Sequence, residues 1–145
     1  MKHIAISCDH AGFDLKERVK QELISKGYQV DDFGPITPER IDYPDAIHPL
    51  AKAINEGDVE LGIIICGSGN GVAMTANKYA NVRAGLSWTA EIAELIRLHN
   101  DANILALPAR FITKETALEC VATFLNTEFE GGRHATRVEK ISISC

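Results

Sequence analysis

A nearly continuous apolar run, Leu61–Cys66, restricts the fold of this chain more than any other segment. A strand with one face in water alternates apolar and polar residues, whereas a strand that is covered on both faces does not. The run therefore predicts a central strand with a layer of structure on each side. Gly67, Gly69 and Gly71 follow at once, so this strand ends in a glycine-rich turn.

Further β-type runs lie on both sides of this segment, and helical patterns alternate with them. The predicted strands cover residues 3–8, 28–33, 61–66, 82–87 and 103–108, and the predicted helices cover about 11–26, a segment that starts near Pro44, 89–99 and 113–125. Parallel strands need crossover connections, which helices supply. We therefore predict an α/β fold with three layers, in which helices cover both faces of a five-stranded parallel sheet.

The size and charge of the chain exclude several classes of protein. At 145 residues, with 46% hydrophobic and 24% charged residues, it has the size and composition of a single globular domain, residues 1–145. Its net charge of −5 argues against general binding to nucleic acid. No apolar run approaches the ~20 residues that span a bilayer, and the amino-terminal segment is charged too early for a signal peptide. We expect a cytoplasmic protein.

The turn from Cys66 to Gly71 carries the strongest functional signal. Alternating glycines let a backbone point several N–H groups at one spot, which suits an anion or a developing oxyanion. The dinucleotide fingerprint fails because Val72 stands where its last glycine, counted from Gly67, is needed, and no Gly-Lys-Ser/Thr follows for a P-loop. Val72 also replaces the arginine that a cysteine phosphatase loop requires. The loop residues that we expect to bind substrate are Gly67, Ser68, Gly69, Asn70 and Gly71.

Cys66 is the candidate base or nucleophile. The chain has four cysteines without CxxC spacing or an adjacent histidine pair, so we predict no metal site. The field at the start of the helix after the loop favours the thiolate of Cys66. We interpret Cys120 and Cys145 as structural or incidental, and Cys8 could line the site without reacting.

Polar residues elsewhere in the chain are secondary candidates. We expect Asp9 and His10 to lie where ligands bind, because they follow the first strand. Tyr43 is a candidate lid residue. Further candidates are His99 and Asn100, at the end of the helix that is predicted over residues 89–99. A group of basic residues nearer the carboxyl terminus consists of Arg110, Arg133 and Arg137. If the tail is helical, Arg133 and Arg137 share one face, as a phosphate clamp requires.

Several motifs in order along the whole chain resemble the type B ribose-5-phosphate isomerases and related aldose–ketose isomerases of sugar phosphates. The motifs are Cys8-Asp9-His10-Ala11-Gly12, Asp42-Tyr43-Pro44, the Cys66 to Gly71 loop, Ala76-Asn77-Lys78, His99-Asn100-Asp101 and Glu130-Gly131-Gly132-Arg133-His134. Some members have a threonine where this chain has Ser68. One branch of that family has a carboxylate base where this chain has Val72 and lacks the cysteine, so the resemblance is to the cysteine-base branch.

The resemblance implies a Rossmann-like or flavodoxin-like fold and interconversion of ribose 5-phosphate and ribulose 5-phosphate through an enediolate. It implies that Cys66 is the base and that His99, from a partner subunit, assists ring opening, with no metal and no cofactor. Asp9, His10 and Asn100 would hold the sugar. The arginines 110, 133 and 137 would hold its phosphate. In a homodimer, the tail, which covers residues of about 126–145, would pack on the partner subunit. The sequence leaves open whether dimers pair into tetramers.

Two other functions remain open at this point. Similar sequences act on the six-carbon substrates allose 6-phosphate or, as two-subunit enzymes, galactose 6-phosphate, and the motifs do not separate these substrates from a pentose phosphate. A sensor of sugar phosphates without catalytic activity would keep the fold and the arginines. Such a sensor would be expected to have lost Cys66 or His99, and both are present.

Overall fold

A computed structural model describes residues 2–142 of the chain. The strands are β1 His3–Cys8, β2 Gln29–Asp32, β3 Leu61–Cys66, β4 Ala84–Leu86 and β5 Ile104–Pro108. The helices are α1 Phe13–Ser25, α2 Tyr43–Glu56, α3 Asn70–Ala76, α4 Ala90–Leu98, α5 Lys114–Asn126 and α6 Arg133–Ile141. Cys145 lies outside the described residues. Within residues 2–142, no helix is long and apolar enough to cross a membrane.

The strands form one parallel sheet in the order β2-β1-β3-β5-β4. This arrangement confirms the predicted α/β class with a five-stranded parallel sheet. The chain moves outward from β1 to β2 and then returns to place β3 on the other side of β1, so β1 and β3 flank a topological switch point. β5 rather than β4 pairs with β3, which brings the carboxyl ends of β1, β3 and β5 side by side.

Two hydrophobic cores cover the two faces of the sheet, as the uninterrupted apolar run of β3 predicts. Ile63 and Ile65 belong to the core under α1, α4 and α5, whereas Ile64 and Cys66 belong to the core under α2 and α3. All four side chains are 5% exposed or less. The period of two along a strand therefore decides that Cys66 faces the α2 and α3 layer.

Most element boundaries differ from the sequence prediction by one or two residues, and two of the shifts have a clear local reason. The first helix begins at Phe13 because the Asp9 carboxylate accepts the N–H groups of Ala11 and Gly12 and caps a 3-10 turn, His10–Gly12. β4 begins at Ala84 because the Asn77 side chain bonds both the N–H and the carbonyl of Ala84, which closes the connection from α3. The predicted helical tail is present as α6.

Candidate active site

The carboxyl ends of β1, β3 and β5 surround a cavity of about 330 Å³. It lies at the switch point between β1 and β3, where open α/β sheets bind ligands. Its lining residues are Asp9, His10, Ala11, Tyr43, Cys66, Gly67, Ser68, Gly71, Arg110 and Phe111. Most of the predicted site residues therefore lie together. Phe111 was not predicted, because a single exposed aromatic residue after a strand carries no sequence signal.

The Cys66 thiol lies at the bottom of this cavity. It ends β3 and is 5% exposed. Its Sγ accepts a hydrogen bond from the Gly69 N–H at 3.2 Å. A backbone donor that points at sulfur stabilises negative charge that develops there during a reaction. The carbonyl of Cys66 accepts the Ala109 N–H at 2.9 Å, which fixes this residue to the end of β5.

Two glycines of the loop have different structural roles. Gly69 has a φ of 75°, which is the left-handed region, and the turn that brings its N–H to Cys66 depends on it. Gly71 is needed for close approach, because an added Cβ would lie 2.7 Å from Cε1 of the Tyr43 ring. Tyr43 thus packs directly on the loop and forms a wall of the cavity.

Asp9 and His10 form the side of the cavity next to β1. Asp9 is 8% exposed, and its Oδ1 accepts the N–H groups of Ala11 and Gly12 at 2.9 and 3.2 Å. Nδ1 of His10 bonds the backbone of Ile41, 3.2 Å from its oxygen and 3.3 Å from its nitrogen. Backbone contacts thus hold both side chains in place, and Nε2 of His10 is the nitrogen that a ligand can use.

Arg110 supplies positive charge at the opposite side of the cavity. It follows β5, and its backbone N–H donates to the carbonyl of Gly67 at 3.0 Å. Its guanidinium lies against Gly67, where an added Cβ would come within 3.3 Å of Nη1. An anionic group bound beside the loop would meet this exposed cation directly.

The other predicted residues, His99, Asn100, Arg133 and Arg137, lie at the opposite edge of the sheet. α4 follows β4 and runs back to the amino edge, where the Asn103 N–H donates to the carbonyl of Arg83 just before β4. His99 caps the end of α4, so it is separated from Cys66 by the length of the sheet. Arg133 and Arg137 are exposed and four residues apart in α6, as predicted.

A stacked histidine pair joins the tail to α4. The rings of His99 and His134 are 4.3 Å apart between centroids and 14° from parallel. Glu130 Oε2 lies 3.9 Å from Nε2 of His99 and 3.8 Å from Nε2 of His134. The Glu130 N–H also donates to the carbonyl of Leu98 at 3.2 Å. The sequence analysis assigned no role to Glu130 or His134, whose contacts with His99 arise only in the folded chain.

Two arginines that the sequence analysis did not select hold the turn after α4. Arg97 donates from Nη1 to Asp101 Oδ1 at 3.0 Å and to the carbonyl of Ala102, and from Nε to the carbonyl of Thr127 at 3.0 Å. Arg83 donates from Nη2 to the carbonyl of Asp101 at 2.9 Å. These bonds stabilise Asp101, whose φ of 47° is uncommon for a residue other than glycine.

The other two described cysteines belong to the core. Cys8 and Cys120 are fully buried. Burial raises the pKa of Cys8 to about 12, against the opposing effect of Lys16, and burial raises the pKa of Cys120 to about 11. Both thiols are therefore protonated at neutral pH. The burial of Cys120 agrees with its interpretation as structural or incidental, whereas Cys8 does not line the cavity.

A larger cleft of about 570 Å³ lies at the amino edge of the sheet. Its lining includes three residues at this edge, Lys2, Leu61 and Asn103. The side chains of the two arginines that hold the turn after α4, Arg83 and Arg97, also line it. Within residues 2–142, neither a cysteine nor a histidine lines it. The smaller cavity at the carboxyl edge, unlike this cleft, combines a cysteine and a histidine with the glycine-rich loop.

Comparison with known proteins identifies the family. The model of the ribose/galactose isomerase family matches residues 4–141. The chain belongs to the ribose/galactose isomerase family. Among curated members, it is 43% identical to ribose-5-phosphate isomerase B of Escherichia coli K12, over 98% of this chain and 95% of that protein. The protein is therefore an isomerase, as predicted.

Solved structures of the ribose/galactose isomerase family share the whole fold. A ribose 5-phosphate isomerase from Thermotoga maritima superposes with a TM-score of 0.95 at 45% identity, with 97% of each chain covered. The isomerase B of Mycoplasma genitalium, solved with bound ribulose-5-phosphate, has a TM-score of 0.92 at 41% identity, with 96% of this chain and 93% of that chain covered. The chain thus matches other family members over nearly their full length.

Proposed function

We propose that this family member interconverts ribose 5-phosphate and ribulose 5-phosphate, with Cys66 as the catalytic base. The observation that carries the proposal is the Cys66 thiol at the bottom of the carboxyl-edge cavity, with the Gly69 N–H on its sulfur and Arg110 on the opposite wall. The relatives named above, which carry the same activity in their names, support the substrate.

An aldose–ketose isomerisation moves one proton between two carbons. The Cys66 thiolate takes the proton from C2 of the open-chain aldose, and the C–H electron pair becomes the C1–C2 double bond of an enediolate. Negative charge develops on the former carbonyl oxygen, which the N–H groups of the Gly67 to Gly71 loop are placed to stabilise. Transfer of the hydroxyl proton from O2 to O1 and return of the carbon-bound proton from Cys66 to C1 then yield the ketose, so each proton that is removed is given back. No redox partner is consumed.

The remaining groups bind and open the sugar. Asp9 and His10 hold hydroxyl groups, and Arg110 binds the phosphate. His99, Asn100, Arg133 and Arg137 cannot reach Cys66 of their own chain across the sheet. We therefore infer a homodimer in which the amino edge of one subunit completes the cavity of the other, so that the partner provides the histidine for ring opening and two further arginines.

Turnover of ribose 5-phosphate by the purified protein tests this function, with a chelator present and allose 6-phosphate assayed in parallel. We expect rapid conversion of the pentose phosphate. Conversion of the hexose phosphate alone would preserve the mechanism but contradict the substrate. A lack of turnover with either sugar phosphate would contradict the proposal that this chain alone is an active isomerase.

Replacement of Cys66 by alanine is expected to abolish turnover while ribose 5-phosphate still binds, because the arginines remain. Turnover and binding are measured separately, by a coupled assay and by calorimetry. Replacement of the buried, protonated Cys120 by alanine is the matched control and should leave turnover per folded molecule intact. Retained turnover in Cys66→Ala would contradict the role of Cys66 as the catalytic base.

A further inference from the structure

The residues His99, Glu130 and His134, here called the His–Glu–His cluster, form a compact set of ligand atoms. One ring nitrogen of each histidine and a carboxylate oxygen of Glu130 all lie within 4.8 Å of one another. The cluster joins the end of α4 to the start of α6, so residues about thirty positions apart in the chain meet only in the folded state.

The composition and spacing of the cluster fit a transition metal. Two imidazoles and one carboxylate form a familiar ligand set for Zn²⁺, with bonds of about 2.0–2.2 Å and a fourth position left open. Ligand atoms around such an ion lie about 3.3 Å apart. The Nε2 to Oε2 distances of 3.9 and 3.8 Å therefore need to shorten by about half an ångström, and the stacked rings must tilt toward each other.

The surroundings of the cluster permit the movement that metal binding requires. The side chains of His99 and Glu130 are 42% and 57% exposed, so they are free to turn, whereas His134 at 10% is a fixed anchor. The cluster therefore has one fixed ligand and two ligands that can move to close around an ion.

We propose that the His–Glu–His cluster binds a divalent transition-metal ion of the zinc type, and that this ion reversibly inhibits the isomerase. The inhibition rests on the function proposed above, in which His99 assists ring opening. A metal bound to Nε2 of His99 occupies the lone pair that would exchange a proton with the sugar, so turnover falls while the fold is preserved. The binding itself does not depend on that function.

Calorimetric titration of the metal-free protein with Zn²⁺ alone tests the binding. We expect one site per chain that is weakened at least about tenfold in Glu130→Gln and in His134→Asn. Glu128→Gln, an exposed carboxylate change two residues away, is the matched control and should bind as the unmodified protein does. Equal affinity in all four proteins, or no binding in any, would overturn the proposal.

Titration with Co²⁺ identifies the ligands by their spectrum. Nitrogen and oxygen ligands give d–d bands alone, whereas a cysteine ligand adds a strong sulfur-to-cobalt charge-transfer band. We expect no such band, and we expect the same spectrum in Cys66→Ala. A charge-transfer band that disappears in Cys66→Ala would place the ion at the thiol and would contradict the cluster.

The inhibition is measured with ribose 5-phosphate, first in chelator and then with added Zn²⁺. We expect loss of turnover that chelator restores, and expect Glu130→Gln to need at least about tenfold more Zn²⁺ for the same fractional loss. If the protein shows no turnover in the presence of chelator, the proposed function is contradicted, but the metal site is not. Binding at the cluster without inhibition would overturn the inhibitory role.

Discussion

Lys16 is a fully buried cation that joins α1 to the end of β2. Its Nζ donates to both carboxylate oxygens of Asp32, at 2.9 and 3.1 Å, and to the carbonyl of Pro35 at 2.7 Å. Lys20 donates to the same carboxylate at 2.9 Å. Burial alone would raise the pKa of Asp32, but the hydrogen bonds from Lys16, from Lys20 and from the Gly34 N–H outweigh it, so the pKa lies below its usual value.

Replacement of Asp32 by asparagine is expected to lower the free energy of unfolding by about 3 kcal/mol, because the buried Lys16 charge then keeps only the more distant, 38% exposed Glu17 carboxylate, 3.5 Å away, as a counterion. Chemical denaturation at pH 7 measures the change. Asp31→Asn is the control, since Asp31 pairs with a half-exposed His3 and its loss should cost less than about 1 kcal/mol. Equal effects of the two substitutions would contradict a dominant role for the buried pair.

The same pair predicts how stability depends on pH. The folded pKa of Asp32 is depressed, so its contribution is fully present above the unfolded pKa of about 3.9 and is lost as pH falls through the lower folded value. Denaturation curves between pH 7 and pH 3 should therefore lose stability toward acid less steeply in Asp32→Asn than in the unmodified protein. Parallel losses would show that other carboxylates dominate.

The loop after β3 depends on glycine for space as well as for backbone conformation. Gly69 and Gly57 both have positive φ, 75° and 80°. An added Cβ at Gly57 meets nothing within 4 Å, whereas one at Gly69 would collide with Leu86 and lie 3.2 Å from the backbone of Leu107 and Pro108. Replacement of Gly57 by alanine thus measures only the free-energy cost of placing a side chain at positive φ.

We expect Gly57→Ala to lower the free energy of unfolding by about 1 kcal/mol and Gly69→Ala to lower it by about 1–3 kcal/mol more. Only Gly69→Ala should also reduce turnover, because it moves the N–H that bonds Cys66. Thermal denaturation and the turnover assay together separate these effects. Equal stability of the two variants would show that the loop relaxes around the new methyl group.

The forked contacts of Arg97 fix the turn that presents His99. Its Nε and Nη1 atoms bond three residues in two segments, Asp101 and Ala102 in the turn and Thr127 after α5, and its side chain is 13% exposed. A lysine keeps the charge but has no fork, so Arg97→Lys should cost about 1–3 kcal/mol of stability and lower kcat more than it raises KM. Arg18→Lys, at a 40% exposed helix pair, is the control and should change neither quantity noticeably.

The elements themselves could be predicted from the sequence, because apolar runs and helical spacing report burial directly. The run Leu61–Cys66 predicts a strand covered on both faces, and the structure confirms this. The role of Arg97 could not be predicted, because two of its partners are backbone carbonyls that no residue type reveals. The His–Glu–His cluster was also missed, since its members meet only when α6 packs against α4.

At the scale of the whole molecule, the sheet divides the candidate catalytic groups between its two edges. Cys66 ends β3 at the carboxyl edge, and His99 ends α4 at the amino edge. One chain therefore cannot supply both groups to one substrate. Two chains related by a twofold axis can, because the amino edge of each subunit then meets the carboxyl edge of the other.

Hybrid dimers test this shared site. Cys66→Ala and His99→Asn should each be inactive, but a dimer containing one chain of each has one site with both groups intact. We expect such hybrids, purified through two different tags, to show about half the turnover of the unmodified dimer. The converse hybrid combines an unmodified chain with a chain that carries both substitutions, and each of its sites lacks one group, so it should be inactive. If each chain had a complete site of its own, the two results would be exchanged, with the first hybrid silent and the second half active.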